Sequence, residues 1–437
     1  MANTYLNRTP GAQTTAGRKT WTYSVWLKRS GLGSSQNFLW ANQDGSNYER
    51  YMFDTNDKIY MAGVASGSTA WEMTTSRAFR DPSAWYHIVI VRDTTQGTAS
   101  NRLKLYVNGT QETAFGTNTP PAQDYTGFIN STNQHNIGRG ASSEYFDGYM
   151  SHVAFVDSTA LTPTSFGSTE ASSGIWKFST PSGITWGTNG FHLKFENSGA
   201  LGTDSSGNSN TFTVNGSLTQ SVDTPSINYV TLHPLVTAGS GTMTHSRANT
   251  RTGGGNGISF LTMMPTSGKW FCEFHFNAAG AGQDNGIGFW SVPEAQDFAF
   301  YVSGFKGIVW KYAGNVYVNS VNNSFSSNTF TAGDIISVAM DMDNSTATFY
   351  KNGSVATNLN AYSFPFTERE AITVGVMDGA SASAEDEIFD FNSGANPTFG
   401  GRKTAGGNSD ANGQGNFSMA VPSGYYALNT KNLNTYG

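Results

Sequence analysis

Residues 85–109, WYHIVIVRDTTQGTASNRLKLYVNG, decide the fold. Residues 86–91 are a nearly unbroken apolar run, the pattern of a strand covered on both faces. Asp93 to Asn101 is made of turn formers and small polar residues. Leu103, Leu105 and Val107 then alternate with Arg102, Lys104 and Tyr106, the period-two signature of a strand with one solvated face. Asn108-Gly109 closes the unit, because Asn and Gly tolerate the positive φ required at both central positions of a type I′ turn. The same design recurs over 334–353, DIISVAMDMDNSTATFYKNG. There Ile336, Val338, Met340 and Met342 share one face, an Asp-Asn turn follows, and an alternating strand ends in Phe349-Tyr350-Lys351-Asn352-Gly353. Two copies of strand, polar turn, strand and aromatic-x-Asn-Gly predict an all-β chain of two related β-sandwiches in tandem.

Composition agrees with that reading and excludes several classes. The chain has 437 residues, enough for two or three domains, each able to bury a sizeable core. Only 13% of residues are charged while 13% are aromatic and Gly numbers 50, the profile of short strands joined by tight turns and not of disorder. The net charge is −6 and no basic block occurs, so nucleic acid is not an expected partner. The single cysteine, Cys272, shares a strand face with Trp270, Phe274 and Phe276, where a buried inert thiol is expected and no intramolecular disulfide is possible. No apolar run approaches the roughly 20 residues of a membrane helix, and the N-terminus lacks a signal-peptide pattern. Synthesis in a cytoplasm without membrane insertion is the expectation. The Asn-x-Ser/Thr triplets at Asn108, Asn130, Asn344 and Asn352 then read as turn chemistry.

Five motifs follow one another in the first part of the chain: Ser-Val-Trp-Leu-Lys (24–28), Trp-Tyr-His-Ile-Val-Ile-Val-Arg-Asp (85–93), Leu-Tyr-Val-Asn-Gly (105–109), Asn-Ile-Gly-Arg (136–139) and Phe-Asp-Gly-Tyr-Met-Ser-His-Val-Ala-Phe-Val-Asp (146–157). In this order they resemble the laminin-G-like branch of the concanavalin A-like lectin/glucanase superfamily. The resemblance covers about residues 1–170 and implies a jelly roll of two antiparallel sheets. The Arg-Thr-Pro opening (8–10) and Arg-Ser-Gly-Leu-Gly (29–33) are similar to modules in virion proteins of marine tailed bacteriophages. Relatives often carry acidic residues after the Gly of Phe-Asp-Gly; here Ser151 and His152 stand in that stretch, which leaves Asp147 as the one candidate calcium ligand that the resemblance implies.

Residues 171–225 read as a β-rich connecting segment, with strands near Trp176 and Phe191 and a turn-rich Asp204-Ser-Ser-Gly-Asn loop that either completes the first sandwich or bridges the two. Asp223-Thr224-Pro225 is the expected linker. From residue 226 onward, Ser267 to Phe274, Asn285 to Phe289, Gly307 to Trp310, Ala332 to Asp341 and Thr348 to Gly353 resemble a SPRY domain, a protein-interaction module with no catalytic residues to carry over. The Tyr425-Tyr426-Ala427-Leu428 strand is expected to dock back on that second sandwich, giving it the span 226–437. No apolar helical stripe or heptad repeat occurs.

The superfamily includes glycoside hydrolases, which place two carboxylates about 5 to 9.5 Å apart across the scissile bond. The densest acidic run, Glu385-Asp386-Glu387-Ile388-Phe389-Asp390, does not match the Glu-x-Asp-x-x-Glu strand of the family's glucanases and reads as an edge strand carrying solubilising charge. Asp341 and Asp343 read as turn formers. The seven histidines show no metal-ligand spacing; His87, His192 and His275 lie within strands as structural residues. No nucleophile elbow or phosphate loop appears, and Gly253-Gly254-Gly255 is a flexible loop.

Aromatics remain. Sugars stack their C–H faces on Trp and Tyr while amides and carboxylates bond the hydroxyls. Trp40, Tyr48, Tyr51 and Trp71 in the first half, and Trp290, Phe298, Tyr301, Trp310 and Tyr312 in the second, stand near polar loops and are the candidate ligand-binding residues. Against each stands the fact that most aromatics of a sandwich are core. Together these readings point to a non-enzymatic bacteriophage structural protein of two concanavalin A-like jelly-roll sandwiches. One version is a tail fibre or receptor-binding adhesin that recognises host surface polysaccharide. Another is a head fibre or capsid decoration protein, and a glycan hydrolase is a third. The expected location is the virion, the expected partners are other virion proteins, and the expected assembly is a homo-oligomer, taken as a trimer. No cofactor is expected, with calcium left open by the resemblance.

Overall fold

The computed structural model describes residues 4–141, 143–238, 243–253, 257–278, 285–291, 306–324, 328–364, 372–378 and 387–437. They are all-β apart from two short helices, Thr15–Lys19 and Thr430–Tyr436, and two single 3-10 turns. The chain divides into two units, Met1–Gln220 and Ser221–Gly437.

In the first unit an eight-stranded sheet runs, from one edge to the other, Phe115–Thr119, Ser68–Ala78, Lys58–Ala65, Asn47–Phe53, Gln36–Asp44, Gln134–Ile137, Tyr5–Arg8 and Thr213–Asn215. A six-stranded sheet runs Phe191–Leu193, Gly148–Asp157, Thr20–Arg29, Trp85–Asp93, Leu103–Val107 and Thr110–Gln111. The period-two alternation sends Trp21, Tyr23, Val25, Leu27, Ile88 and Ile90 of the second sheet against Leu39, Tyr51, Phe53, Met61 and Trp71 of the first. That shared cluster is the jelly-roll core. The other face of the six-stranded sheet is also dry. Val89, Val91, Ala154 and Val156 pack there with Phe166, which explains the unbroken apolar run at 86–91. A small hairpin, Gly167–Thr169 with Trp176–Phe178, adds to that layer.

Residues 171–220 are part of this unit. Phe191–Leu193 pairs with Gly148–Asp157, and Thr213–Asn215 pairs with Tyr5–Arg8, so this segment supplies an edge to each sheet. Asp204 organises the loop between them: its Oδ1 accepts from the His192 and Ser206 amides and its Oδ2 from the Asn210 amide, each at 2.8 Å. Asp157, buried, joins the same segment to earlier elements by accepting from Asn130 Nδ2 at 2.6 Å and from the Asn189 amide at 3.1 Å.

The second unit also has two sheets. Seven strands run Leu232–Ala238, Gly257–Leu261, Ile372–Asp378, Gly286–Ser291, Gly307–Lys311, Asn315–Val318 and Val321–Ser324. The other sheet runs Thr244–Ser246, Arg251–Gly253, Glu387–Asn392, Lys269–Phe276, Ile335–Asp341, Thr346–Lys351 and Ser354–Val355, with Tyr362–Ser363 and Tyr426–Ala427 paired beside it. Ile336, Val338, Met340 and Met342 all face the core, as their alternation predicts, and Cys272 is buried beside Trp270 and Phe274 with its thiol pushed well up by burial. Tyr426–Ala427 lies parallel to Lys269–Phe276, and Phe417, Tyr229 and Ala427 cover the sheet's outer face over Phe271 and Ala339.

Both Asn-Gly turns have positive φ at both residues: 49° and 78° at Asn108-Gly109, 48° and 83° at Asn352-Gly353. The two units share a further detail. Asn108 donates its amide to the His87 carbonyl and accepts the His87 amide on Oδ1; Asn352 does the same with Ile335. The turn asparagine therefore clamps its hairpin to the start of the preceding strand in each copy.

The acidic strand requires a correction. Glu387–Asn392 is interior, paired with Arg251–Gly253 on one side and Lys269–Phe276 on the other. Asp390 is fully buried and takes a two-pronged ion pair from Arg251 at 2.6 and 2.7 Å, with Arg402 Nε at 3.0 Å, so its charge is structural and not a solubilising edge. Glu385 and Asp386 lie outside the described residues, as do Gly254 and Gly255.

Candidate ligand-binding face

Trp40, Tyr48, Tyr51, Trp71, Trp290 and Trp310 stand within strands, and the alternation sorts them by face; Tyr312 lies in the turn after Gly307–Lys311. In Asn47–Phe53, Glu49, Tyr51 and Phe53 point into the core and Tyr48, Arg50 and Met52 point away. Tyr51 and Trp71 are thus fully buried, beside an interior ion pair between Glu49 and Arg92 at 2.7 Å, and they offer no surface to a ligand. Trp310 is core as well, donating from Nε1 to the Asn328 carbonyl at 2.7 Å. Trp290 is buried on the opposite face of the seven-stranded sheet with Ile258, Phe260 and Met377. Gly288 and Gly375 form its floor, since a Cβ on either would come within 3.1 and 2.9 Å of the indole. Tyr312 is half-buried and stacks on Phe276. Tyr301 and Phe298 lie outside the described residues.

Trp40 and Tyr48 do come together, on the outer face of the eight-stranded sheet, with ring centroids 4.7 Å apart and planes within 15°. Trp40 is buried under the pair, so Tyr48, half-buried, presents the accessible ring. The register lays one row across this face: Asn7 opposite Asn136, Asn136 opposite Trp40, Trp40 opposite Arg50, Arg50 opposite Ala62, and Ala62 opposite Glu72. Arg50 lies between two tyrosines, its guanidinium carbon 5.7 Å from the Tyr48 ring centre and 4.8 Å from that of Tyr60, and donates to Tyr60 Oη at 3.3 Å. Its pKa is held above the usual arginine value by that phenol, against the opposing effect of burial.

Toward the other end of the face the arrangement repeats. Arg139 is 4.6 Å from the Tyr5 ring centre and 5.7 Å from that of Tyr145. Neither Arg50 nor Arg139 has a carboxylate partner among the described residues. Glu144 turns instead to Asn37, accepting from Nδ2 at 2.8 Å. Oδ1 of Asn37, Asn42 and Asn136, and Nε of Arg50 and Arg139, are buried without a partner among the described residues. Water or ligand hydroxyls are what such groups take. The sequence reading found Trp40 and Tyr48 but missed Arg50, Tyr60, Arg139, Tyr5 and Tyr145.

Other clusters are structural. On the covered face of the six-stranded sheet, Ser24 Oγ lies 2.8 Å from His87 Nε2, a spacing seen in nucleophile–base pairs. The Trp176 indole, however, donates to His87 Nδ1 at 2.9 Å, which fixes the proton on Nε2 and leaves that nitrogen unable to accept from serine. Burial lowers the His87 pKa to about 3, so the neutral ring is held in place. His192 is bonded to His152 at 3.3 Å, and His275 to Asn277 at 2.6 Å. A cavity of about 20 Å³ between the first unit's sheets, lined by Arg8, Leu39, His135 and Phe212 among others, holds about one water and no sugar.

Asp147 stands at the rim, its carboxyl pKa raised by burial and its Oδ2 close to the Gly31 backbone. No group of three His, Cys, Asp or Glu side chains assembles a metal site among the described residues. Calcium takes 6–8 oxygens, commonly from several carboxylates, and Asp147 belongs to no such cluster among the described residues. No helix among the described residues is long and apolar enough to cross a membrane.

Residues 2–165 match the laminin-G-type family described as the concanavalin A-like lectin/glucanases superfamily. No curated protein sequence matches the chain. Among solved structures, the SPRY domain of human HERC1 is similar at 24% identity, over 32% of this chain and 83% of that one, with a TM-score of 0.25. Domain 4 of AbnA, a GH43 extracellular arabinanase from Geobacillus stearothermophilus, is similar at 18% identity over 33% of this chain and 64% of that one, with a TM-score of 0.26. The LG4-5 domains of the mouse laminin alpha1 chain are similar at 9% identity over 89% of this chain and 85% of that one, with a TM-score of 0.30. The fold is all-β and of concanavalin A-like jelly-roll type, and its first unit carries the sequence pattern of the laminin-G branch.

Proposed function

We propose that this chain is a non-enzymatic glycan-recognition protein of a bacteriophage virion, and that it binds host surface polysaccharide on the outer face of the first unit's eight-stranded sheet. The observation that carries the glycan reading is the set of half-buried tyrosine rings, Tyr48 and Tyr60, flanked by arginine donors and by amide oxygens without partners. Rings accept the apolar face of a pyranose, and the flanking groups exchange hydrogen bonds with its hydroxyls. The virion reading rests on the phage-like wording of residues 8–10 and 29–33.

A glycan array probed with the purified chain tests the first part. Binding to one class of polysaccharide, lost in Tyr48→Ala while the unfolding temperature is kept, is the expected result. Binding that is indifferent to Tyr48, or none at all, rejects this face. Immunogold labelling of phage particles tests the second. Gold at the tail supports an adhesin, gold spread over the head makes the chain a decoration or head-fibre protein, and unlabelled particles remove the virion reading.

A further inference from the structure

The two arginines of the face are in an unusual state. Elsewhere in the first unit Arg29, Arg77, Arg80 and Arg92 each meet a carboxylate at 2.6 to 2.9 Å, and Arg8, Arg18 and Arg102 donate to amide or backbone carbonyl oxygens. Arg50 donates only to the Tyr60 phenol, with the Glu144 carboxylate near enough to act on its charge but not in an ion pair, and Arg139 has no hydrogen-bond acceptor among the described residues. Both nonetheless pack against two tyrosine rings, at 4.8 and 5.7 Å for Arg50 and at 4.6 and 5.7 Å for Arg139, whose two rings are neighbours 6.2 Å apart. An arginine packed against rings loses little further freedom when it binds, and its planar fork of donors matches the oxygens of a carboxylate or sulfate. The Trp40 strand lies between the strand of Arg50 and the Asn136 strand, which Arg139 continues.

From this geometry we infer that the face selects anionic polysaccharide, with Arg50 and Arg139 each receiving an acidic substituent, carboxylate or sulfate, while Tyr48 and Tyr60 offer rings for stacking beside Arg50. The inference deepens the glycan reading and rests on it. Two carboxylates also border the face. Glu144 is engaged with Asn37, and Glu72 stands two strands beyond Arg50. Recognition is therefore by the two local forks and not by a broad positive field, and the chain as a whole is negative at −6. A charge-assisted hydrogen bond contributes about 1.5–3 kcal/mol, so loss of either arginine weakens binding roughly tenfold or more.

The test uses the full chain and immobilised polysaccharides in four forms: a sulfated one, its desulfated derivative, a uronate-rich one and its carboxyl-reduced derivative. Binding is measured by biolayer interferometry for the wild type, Arg50→Gln, Arg139→Gln and Tyr48→Ala, with thermal unfolding as the check on folding. If Arg139→Gln lowers the unfolding temperature, Arg139→Lys takes its place, because it keeps the charge and ring contact but removes the fork. The expected result is binding to a charged form, lost with its sulfate or its carboxylate, weakened roughly tenfold by either arginine variant and reduced by salt. Loss on desulfation identifies sulfate as the recognised group, and loss on carboxyl reduction identifies uronate. Equal binding to charged and neutralised forms, abolished by Tyr48→Ala but not by the arginine variants, overturns the inference and leaves the glycan reading standing. Charged-form binding untouched by both arginine variants also overturns it. Failure to bind any of the four forms overturns the inference, and the array of neutral glycans then decides the underlying reading separately.

Discussion

Asn108 and Asn352 show how much a single turn residue can carry. Each takes a left-handed conformation and also closes a pair of hydrogen bonds on a residue near the start of the neighbouring strand: His87, third in its strand, in one unit and Ile335, first in its strand, in the other. Asn352→Gly keeps the backbone conformation but removes the side-chain acceptor, leaving the Ile335 amide without its partner. A loss of about 1–2 kcal/mol in unfolding free energy is expected, from the orphaned donor and the extra freedom of glycine in the unfolded chain. Urea denaturation of the variant measures it, and a change within error of zero would show that water replaces the clamp. The Asn-Gly turns were legible in the sequence because their requirement is local. The split between Tyr48 and Tyr51 was equally available, since three residues along a strand is a change of face. Aromatic residues were instead grouped by their nearness to polar loops, and that criterion mixed core rings with surface ones. Arg50 and Arg139 were not legible in the same way. What marks them is the absence of a carboxylate across the sheet, which depends on pairing between distant strands.

Two strands carry buried ionisable groups whose titration runs in opposite directions. On Lys269–Phe276, Glu273 is fully buried without a cation and accepts from the Met419 amide at 2.8 Å, the Ser418 amide at 3.0 Å and Asn392 Nδ2 at 3.1 Å. Burial raises its pKa from 4.5 to about 7, those three donors opposing. Because the folded pKa lies above the unfolded one, the contribution to stability is complete below about pH 4.5 and is lost as pH rises through 7, at up to about 1.4 kcal/mol per pH unit. The unfolding temperature of the second unit, wild type minus Glu273→Gln, should therefore fall between pH 5 and pH 8. A difference that stays flat would mean that the donors from residues 418 and 419 hold the carboxylate ionised throughout. On Trp85–Asp93 the sign reverses. His87 is lowered to about 3, so its contribution is present above pH 6.5 and is lost on acidification from there. His87→Gln should make the first unit less sensitive to acid between pH 6.5 and pH 4, whatever its effect at pH 7. Their sequences announce this unevenly. The apolar run at 86–91 marks the His87 strand as covered on both faces, but Glu273 looks like an ordinary polar position on a strand with one wet face, and it is the covering layers, residues 417–427 and 166–178, that make both faces dry.

At the scale of the molecule the tandem design was readable from its repeat, while the extent of each unit was not. The five laminin-G-like motifs end by residue 157, so the pattern offers no reason to look further along the chain. What completes the first unit is the strand read near Phe191, the three-residue strand Thr213–Asn215 and the Asp204 loop, segments whose presence was legible but which are too short and too polar to show which sandwich they join. Their contribution is to finish edges and fill hydrogen bonds. Phe191 and Leu193 enter the core from Phe191–Leu193, Phe212 packs on Phe191 at 4.7 Å, and Asn189 Nδ2 donates to Asn130 at 2.9 Å within the Asp157 network. Cutting at residue 170 would strip both sheets of an edge strand, remove three core side chains and leave Asn130 and Asp157 short of partners. Losing one large buried apolar side chain costs about 2–5 kcal/mol, and a domain of this size is stable by only about 5–15 kcal/mol. Residues 1–220 expressed alone should therefore give a cooperative thermal transition and a structured near-ultraviolet circular dichroism spectrum, whereas residues 1–170 should give neither. A cooperative transition from the 1–170 fragment would show that the laminin-G-like motifs suffice and that residues 171–220 are an accessory layer. Failure of the 1–220 fragment would place indispensable contacts beyond Gln220.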